Sequence, residues 1–199
     1  MQPQLARCWK TENPLYIKYH DEEWGVPLHD DQKLFELLTL EGFQAGLTWE
    51  LILKRREALK KAFFDFNPTT VANLSPSDVE GILCLPDIIR NRAKVCATVN
   101  NAQKLIQTQT EFVSFDKFIW QFVNGQPISP ALKKMQDMPA ETEESRAMSK
   151  ELKRRGFKFV GPVICYAFMQ AVGMVNDHLT FCFRYREIQN NNQTKRAIQ

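Results

Sequence analysis

No run of apolar residues in this 199-residue chain approaches the roughly 18 that a membrane-spanning helix needs. The opening Met1-Gln2-Pro3-Gln4 has neither the charged start nor the apolar stretch of a secretory signal, so a cytoplasmic location is the expectation. Cysteine is sparse and odd in number: the five residues Cys8, Cys84, Cys96, Cys165 and Cys182 are too scattered for a secreted disulfide scaffold and read as reduced thiols. Excess charge is missing too, since a net +3 neither demands nor excludes a polyanionic partner. There is no internal repeat and no low-complexity tract. What remains, 44% apolar and 25% charged, is the composition of an ordinary globular protein, long enough for one domain with a real core or two small lobes sharing one.

Strand signals are also scarce, and helical periods follow one another. Residues 32–44 carry Leu34, Leu37, Leu38 and Leu40 on one face, and residues 49–63 repeat Leu51, Ile52, Ala58, Leu59, Ala62 and Phe63 behind the N-cap Thr48. Asn67-Pro68 and Ser75-Pro76 are helix starts, the cap accepting orphan backbone donors and the proline fitting the first turn. Further helices are predicted over residues 88–106, 115–123, 145–155 and 162–172, with residues 126–142 a surface loop and residues 190–199 a polar, frayed tail. The pattern predicts an all-α, compact two-lobed bundle of short helices in a single domain.

Three groups of residues carry chemistry. Cys8 and His20 near one end, with His178-Leu-Thr-Phe-Cys182 near the other, form two halves of a four-ligand site; on spacing alone, unrelated cysteines and histidines read the same way. Leu152-Lys-Arg-Arg-Gly-Phe-Lys-Phe-Val-Gly-Pro162 resembles a helix-hairpin-helix, with Gly156 and Gly161 as turning points, Phe157 and Val160 as anchors, and Lys153, Arg154, Arg155 and Lys158 as cations. An ordinary helical hairpin whose glycines only cap and turn fits equally well. Finally, Trp9, Tyr16, Tyr19, Trp24, Phe43 and Trp49 crowd the first quarter of the chain. Such rings are core, or a cage for a flat cationic ligand. Glu41 sits among them, followed by glycine, and reads first as a surface residue between turns and second as a placed acceptor.

Asn13-Pro-Leu-Tyr-Ile-Lys-Tyr-His-Asp-Glu-Glu-Trp-Gly-Val-Pro27, Leu40-Glu-Gly-Phe-Gln-Ala-Gly-Leu-Thr-Trp49, Arg155-Gly-Phe-Lys-Phe-Val-Gly161 and Val175-Asn-Asp-His178 with Cys182 together resemble the bacterial 3-methyladenine DNA glycosylase I family, in order and spacing, from about Arg7 to Tyr185. The resemblance implies a helix-hairpin-helix glycosylase fold whose termini are joined by one structural Zn2+ on Cys8, His20, His178 and Cys182, with no organic cofactor. It implies a monomer that binds double-stranded alkylated DNA through Arg155, Gly156, Phe157, Lys158, Val160 and Gly161. A base pocket of Glu41, Tyr16, Tyr19 and Trp49, with Trp9 and Trp24 in its walls, would hold the flipped base, and Glu41 would be the essential carboxylate. A Schiff-base lysine is absent from the matched motifs, which implies hydrolysis without strand cleavage.

The chain departs from the family pattern in places. Leu85-Pro86-Asp87 stands where a glycine usually precedes Ile-Ile-Arg, and Asp87 is expected to cap the helix that follows. Trp9 follows Cys8 directly, one residue short of the usual spacing. Asn176 falls where many hairpin glycosylases carry an aspartate, and Asp177 is expected to orient the His178 ring. An inactive, zinc-stapled DNA-binding protein of the same fold is the alternative reading.

Overall fold

The computed structural model describes residues 6–196, with side chains described as far as residue 190. Among them ten α-helices follow one another: α1 (Pro14–Glu22), α2 (Asp31–Gln44), α3 (Trp49–Ala62), α4 (Pro68–Ala72), α5 (Pro76–Cys84), α6 (Arg92–Phe112), α7 (Phe115–Trp120), α8 (Glu143–Arg154), α9 (Pro162–Ala171) and α10 (Phe183–Arg196). No strand forms among the described residues; one isolated parallel bridge joins Ile128 to Val175, tying the 126–142 loop to the segment after α9.

Helix starts are set locally. The side chains of Asn13, Thr48, Asn67, Ser75, Asn91, Ser114 and Thr142 each accept a backbone N–H from the first turn of their helix. A cap of this kind is worth about 1 kcal/mol. The long helix starts at Arg92 behind Asn91, later than the apolar spacing of Ile88 and Ile89 predicts, and Asp87 does not cap it. Asp87 sits at φ 61, the left-handed region that glycine favours, and its carboxylate pairs with Arg55 of α3. The tail expected to fray from residue 190 is helical to Arg196, and its last residues lie outside those described.

One continuous core runs through the molecule. α2 is buried all round, from Leu34 through Phe43, because α3, α6, α7 and α9 all pack against it. The α8–α9 pair docks on this assembly through α9. Gly173 makes the close approach possible: at φ 70 it lies against the Val26 backbone, where a Cβ would come within 2.3 Å of the Val26 carbonyl carbon. The chain thereby brings α1, α2, α3 and α9 around a single recess.

Candidate functional site

That recess is a well of about 180 Å³, lined by the rings of Trp9, Tyr16, Tyr19, Trp24 and Trp49 together with Glu41, Gln44, Met138, Ala167 and Gln170. All six residues expected in the base pocket come together there. The rings form a continuous wall: Trp9 lies 4.9 Å from Tyr16 and 4.6 Å from Trp24, and Tyr19 lies 5.1 Å from Trp49. Gln44, Met138, Ala167 and Gln170 carry no mark in the sequence; a glutamine or alanine in a helix, or a methionine in a loop, shows no pattern that separates it from the rest of the chain.

Glu41 is not a surface residue. It is 3% exposed and lines the well, on a helix packed against α3, α6, α7 and α9. Its Oε2 and the indole Nε1 of Trp49 have no hydrogen-bond partner among the described residues. Burial with no compensating charge pushes the Glu41 carboxyl up from 4.5 to about 8. It is therefore mostly protonated at neutral pH. Tyr19 is raised well above its ordinary value, by burial first and then by Glu41, so its phenol stays a neutral donor.

Cys8, His20, His178 and Cys182 are all buried, with their ligand atoms within 4.8 Å of one another. Cys8 Sγ lies 3.5 Å from His178 Nδ1, and Cys182 Sγ lies 3.6 Å from both His178 Nδ1 and His20 Nε2. A tetrahedral zinc with Zn–S of about 2.3 Å and Zn–N of about 2.05 Å has S···N edges of about 3.6 Å. The tautomers agree: His178 Nε2 is 2.9 Å from the Trp24 carbonyl and His20 Nδ1 is 2.8 Å from Asp21, which leaves the other nitrogen of each ring as the lone-pair donor. Arg7 in turn binds Asp21 through Nε and Nη2. The Leu179 N–H donates to Cys8 Sγ. The donor set fits a closed zinc site. Asp177 does not orient His178; its Oδ2 accepts from Tyr166 and Gln170, at 2.6 and 2.7 Å, and the Trp24 carbonyl takes the expected role.

Residues 156–161 join α8 to α9. Gly156 ends α8 at φ 88, with Phe157 N–H returning to Leu152 O and Gly156 N–H to Lys153 O. Phe157 and Val160 are buried anchors, as expected. The second turning point is Phe159, at φ 54, whereas Gly161 has an ordinary extended backbone and caps α9 with no side chain. Pro162 opens α9, so the N–H groups of the first turn beyond it have no intrahelical acceptor. Arg155 is drawn away from this face: its guanidinium is shared between Glu111 and Glu151 and lies 4.8 and 4.9 Å from the rings of Phe112 and Phe118. Arg154 also pairs with Glu151, and Lys158 remains on the hairpin.

The helices superpose on those of solved 3-methyladenine DNA glycosylases. A crystal structure of 3-methyladenine DNA glycosylase I superposes with a TM-score of 0.87 at 48% identity over 89% of this chain and 98% of that one. The enzyme from Staphylococcus aureus, solved to explain its 3-methyladenine recognition, gives 0.85 at 40% identity over 87% of this chain and 92% of its own. The methyladenine glycosylase family matches residues 9–185, and the chain belongs to it. DNA-3-methyladenine glycosylase 1 of Escherichia coli K12 is 47% identical over 182 residues, 91% of this chain and 97% of that protein. DNA-3-methyladenine glycosylase of Haemophilus influenzae is 46% identical over 178 residues, covering 89% and 96% respectively. No helix among the described residues is long and apolar enough to cross a membrane.

Proposed function

We propose that the chain excises 3-methyladenine from alkylated double-stranded DNA, by flipping the nucleotide into the ring-lined well and letting water hydrolyse its N-glycosidic bond. The observation that carries this reading is Glu41: a buried carboxyl with an unpartnered oxygen, facing a well walled by indoles and phenols. Adenine methylated at N3 carries positive charge on the ring. Each aromatic face favours that cation over neutral adenine by on the order of 0.5 to 2 kcal/mol. A cation entering the well also supplies the counter-charge that burial denies Glu41. The carboxyl then ionises against the purine edge, an interaction neutral adenine does not induce.

The same charge makes the base a good leaving group. As the C1′–N9 bond breaks, its electron pair goes to the ring, which departs neutral; water adds to C1′ and its proton passes to solvent. Strong acid catalysis is unnecessary, so the protein's task is selection and extraction, at a flipping cost of a few kcal/mol. No lysine lines the well, which supports hydrolysis without strand cleavage. The bare N-terminus of α9 and Lys158 suit a DNA phosphate. Cys8, His20, His178 and Cys182 would hold one Zn2+; with every position filled by protein, it would join the chain ends and leave the chemistry to the well. Well, hairpin and metal ligands all come from one copy of the chain, which supports a functional monomer.

The test is to incubate the protein with alkylated duplex DNA and separate the released bases by chromatography. Free 3-methyladenine above the no-protein control is expected, and its absence would refute the reading. DNA binding without release would point instead to an inactive binding protein of the same fold.

A further inference from the structure

α6 runs past both elements that the proposed reaction uses, and its polar side chains grip each of them. Lys94, in the first turn, is 6% exposed. Its ammonium donates to the main-chain oxygens of Phe43, at 2.7 Å, and Ala45, at 2.6 Å. Burial pushes its pKa down with no carboxylate close enough to counter it. This is a charged cap on the C-terminus of α2, four residues beyond Glu41 at its farther contact. α2 ends abruptly there: Ala45 leaves the helix at φ −48, ψ 113, Gly46 turns at φ 76, and Leu47 stands 37% exposed beyond it.

Further along the same helix, Asn101 is also 6% exposed and holds the hairpin at two points. Its Nδ2 donates to Lys158 O at 2.9 Å and its Oδ1 accepts the Lys158 N–H at 2.8 Å, while Asn100 Nδ2 donates to Gly156 O at 2.8 Å. The two gripped elements also meet directly, since a Cβ on Gly42 would lie 3.4 Å from Phe159 Cβ. A flipped base and the phosphate that anchors its strand are joined by a covalent backbone of fixed reach. The distance from pocket to anchor must therefore be fixed, and an error of 1 Å in such an arrangement costs on the order of a hundredfold in rate. A buried ammonium bound to two carbonyls holds a helix end more tightly than neutral hydrogen bonds do.

We propose that Lys94 is a positioning residue for base capture and Asn101 a positioning residue for DNA anchoring, so that α6 sets the separation between the Glu41-bearing end of α2 and the 156–161 hairpin. The inference rests on the glycosylase reading above. The experiment compares wild type with Lys94→Met and Asn101→Ala by saturating single-turnover excision, affinity for undamaged duplex, affinity for free 3-methyladenine read by tryptophan fluorescence, and amide hydrogen exchange without substrate.

Lys94→Met is expected to lower the saturating excision rate at least tenfold and free-base affinity at least threefold, with duplex affinity within threefold of wild type and faster exchange at Leu47. Asn101→Ala is expected to weaken duplex binding at least fivefold, with free-base affinity within twofold and faster exchange at Lys158. A common thermal destabilisation would move all readouts together and would not separate the two variants. Both variants shifting base and duplex affinity alike, or Lys94→Met excising at the wild-type rate, would overturn the inference. Wild type releasing no 3-methyladenine would refute the glycosylase reading instead, and the exchange pattern would then decide the clamp by itself.

Discussion

Replacing Glu41 by glutamine should make the protein more stable and a worse enzyme, with a stability gain that grows with pH. Burial holds the Glu41 carboxyl at about 8, against 4.5 for an ordinary glutamate. Between those values the folded state keeps a proton that the unfolded chain has released, so stability falls as pH rises from about 4.5 to about 8 and is level beyond. The accumulated penalty is about 3 kcal/mol at pH 7 and about 5 kcal/mol above pH 8, at 1.36 kcal/mol per unit. Glutamine has no proton to lose and escapes it. The amide brings its own unpaired buried donors, a cost of about 1 to 3 kcal/mol that does not vary with pH. The slope is therefore the diagnostic quantity. Urea denaturation of wild type and Glu41→Gln from pH 5 to 8.5 gives the difference directly, and acid effects on the Cys and His residues cancel between the two proteins. The gap should widen by roughly 3 to 4 kcal/mol across that range while excision falls at least a hundredfold. A gap constant to within about 0.5 kcal/mol would refute the burial argument, and wild-type excision by the variant would refute the role given to the carboxyl.

Lys158→Glu should weaken binding to undamaged duplex roughly tenfold at moderate salt and lower the slope of log affinity against log salt by one to two, measured by fluorescence anisotropy. His178→Ala, or a strong chelator, should lower Tm by roughly 10 °C or more, about 3 kcal/mol, with loss of one equivalent of zinc by elemental analysis. Asp87→Gly should relieve a left-handed aspartate and free Arg55, giving stability within about 1 kcal/mol of wild type and a two- to fivefold gain in duplex affinity; weaker binding would show that the Arg55–Asp87 pair is needed.

Helices whose signals are local were legible in the sequence. Thr48, Asn67 and Ser75 cap where their residue types predict, and α2 and α3 run nearly where their apolar spacing places them. α1 obeys the same rule, since Asn13-Pro14 repeats the cap-and-proline signature of Asn67-Pro68. The start of α6 is less legible, because Ile88 and Ile89 mimic a helical face although they anchor the loop before the Asn91 cap. Tertiary facts were the least legible. Nothing near Glu41 in the chain shows that its helix will be packed on by α3, α6, α7 and α9, and nothing near Asp177 shows that Tyr166 and Gln170 will claim its carboxylate before His178 can. Arg155 reads as one cation among several until Glu111, 44 residues away, takes it.

The four-residue Cys/His cluster and the well share a wall. His20 lies on α1 with Tyr16 and Tyr19, and Cys8 immediately precedes Trp9. The Trp9 ring packs against His20 at 4.9 Å and Trp24 packs against His178 at 4.6 Å, so the rings that line the well also pack against the Cys/His cluster. Trp24 contributes twice, since its carbonyl also fixes the His178 tautomer. Four protein donors would leave a metal held there no open position for substrate, so its part would be to hold these residues in place. Cys8 and His20 would thereby fix Trp9 and α1 against the well. On the glycosylase reading, a metal joining the chain ends would therefore also help the ring wall keep its shape, through Cys8 and His20 on one side of Trp9 and His178 beside Trp24.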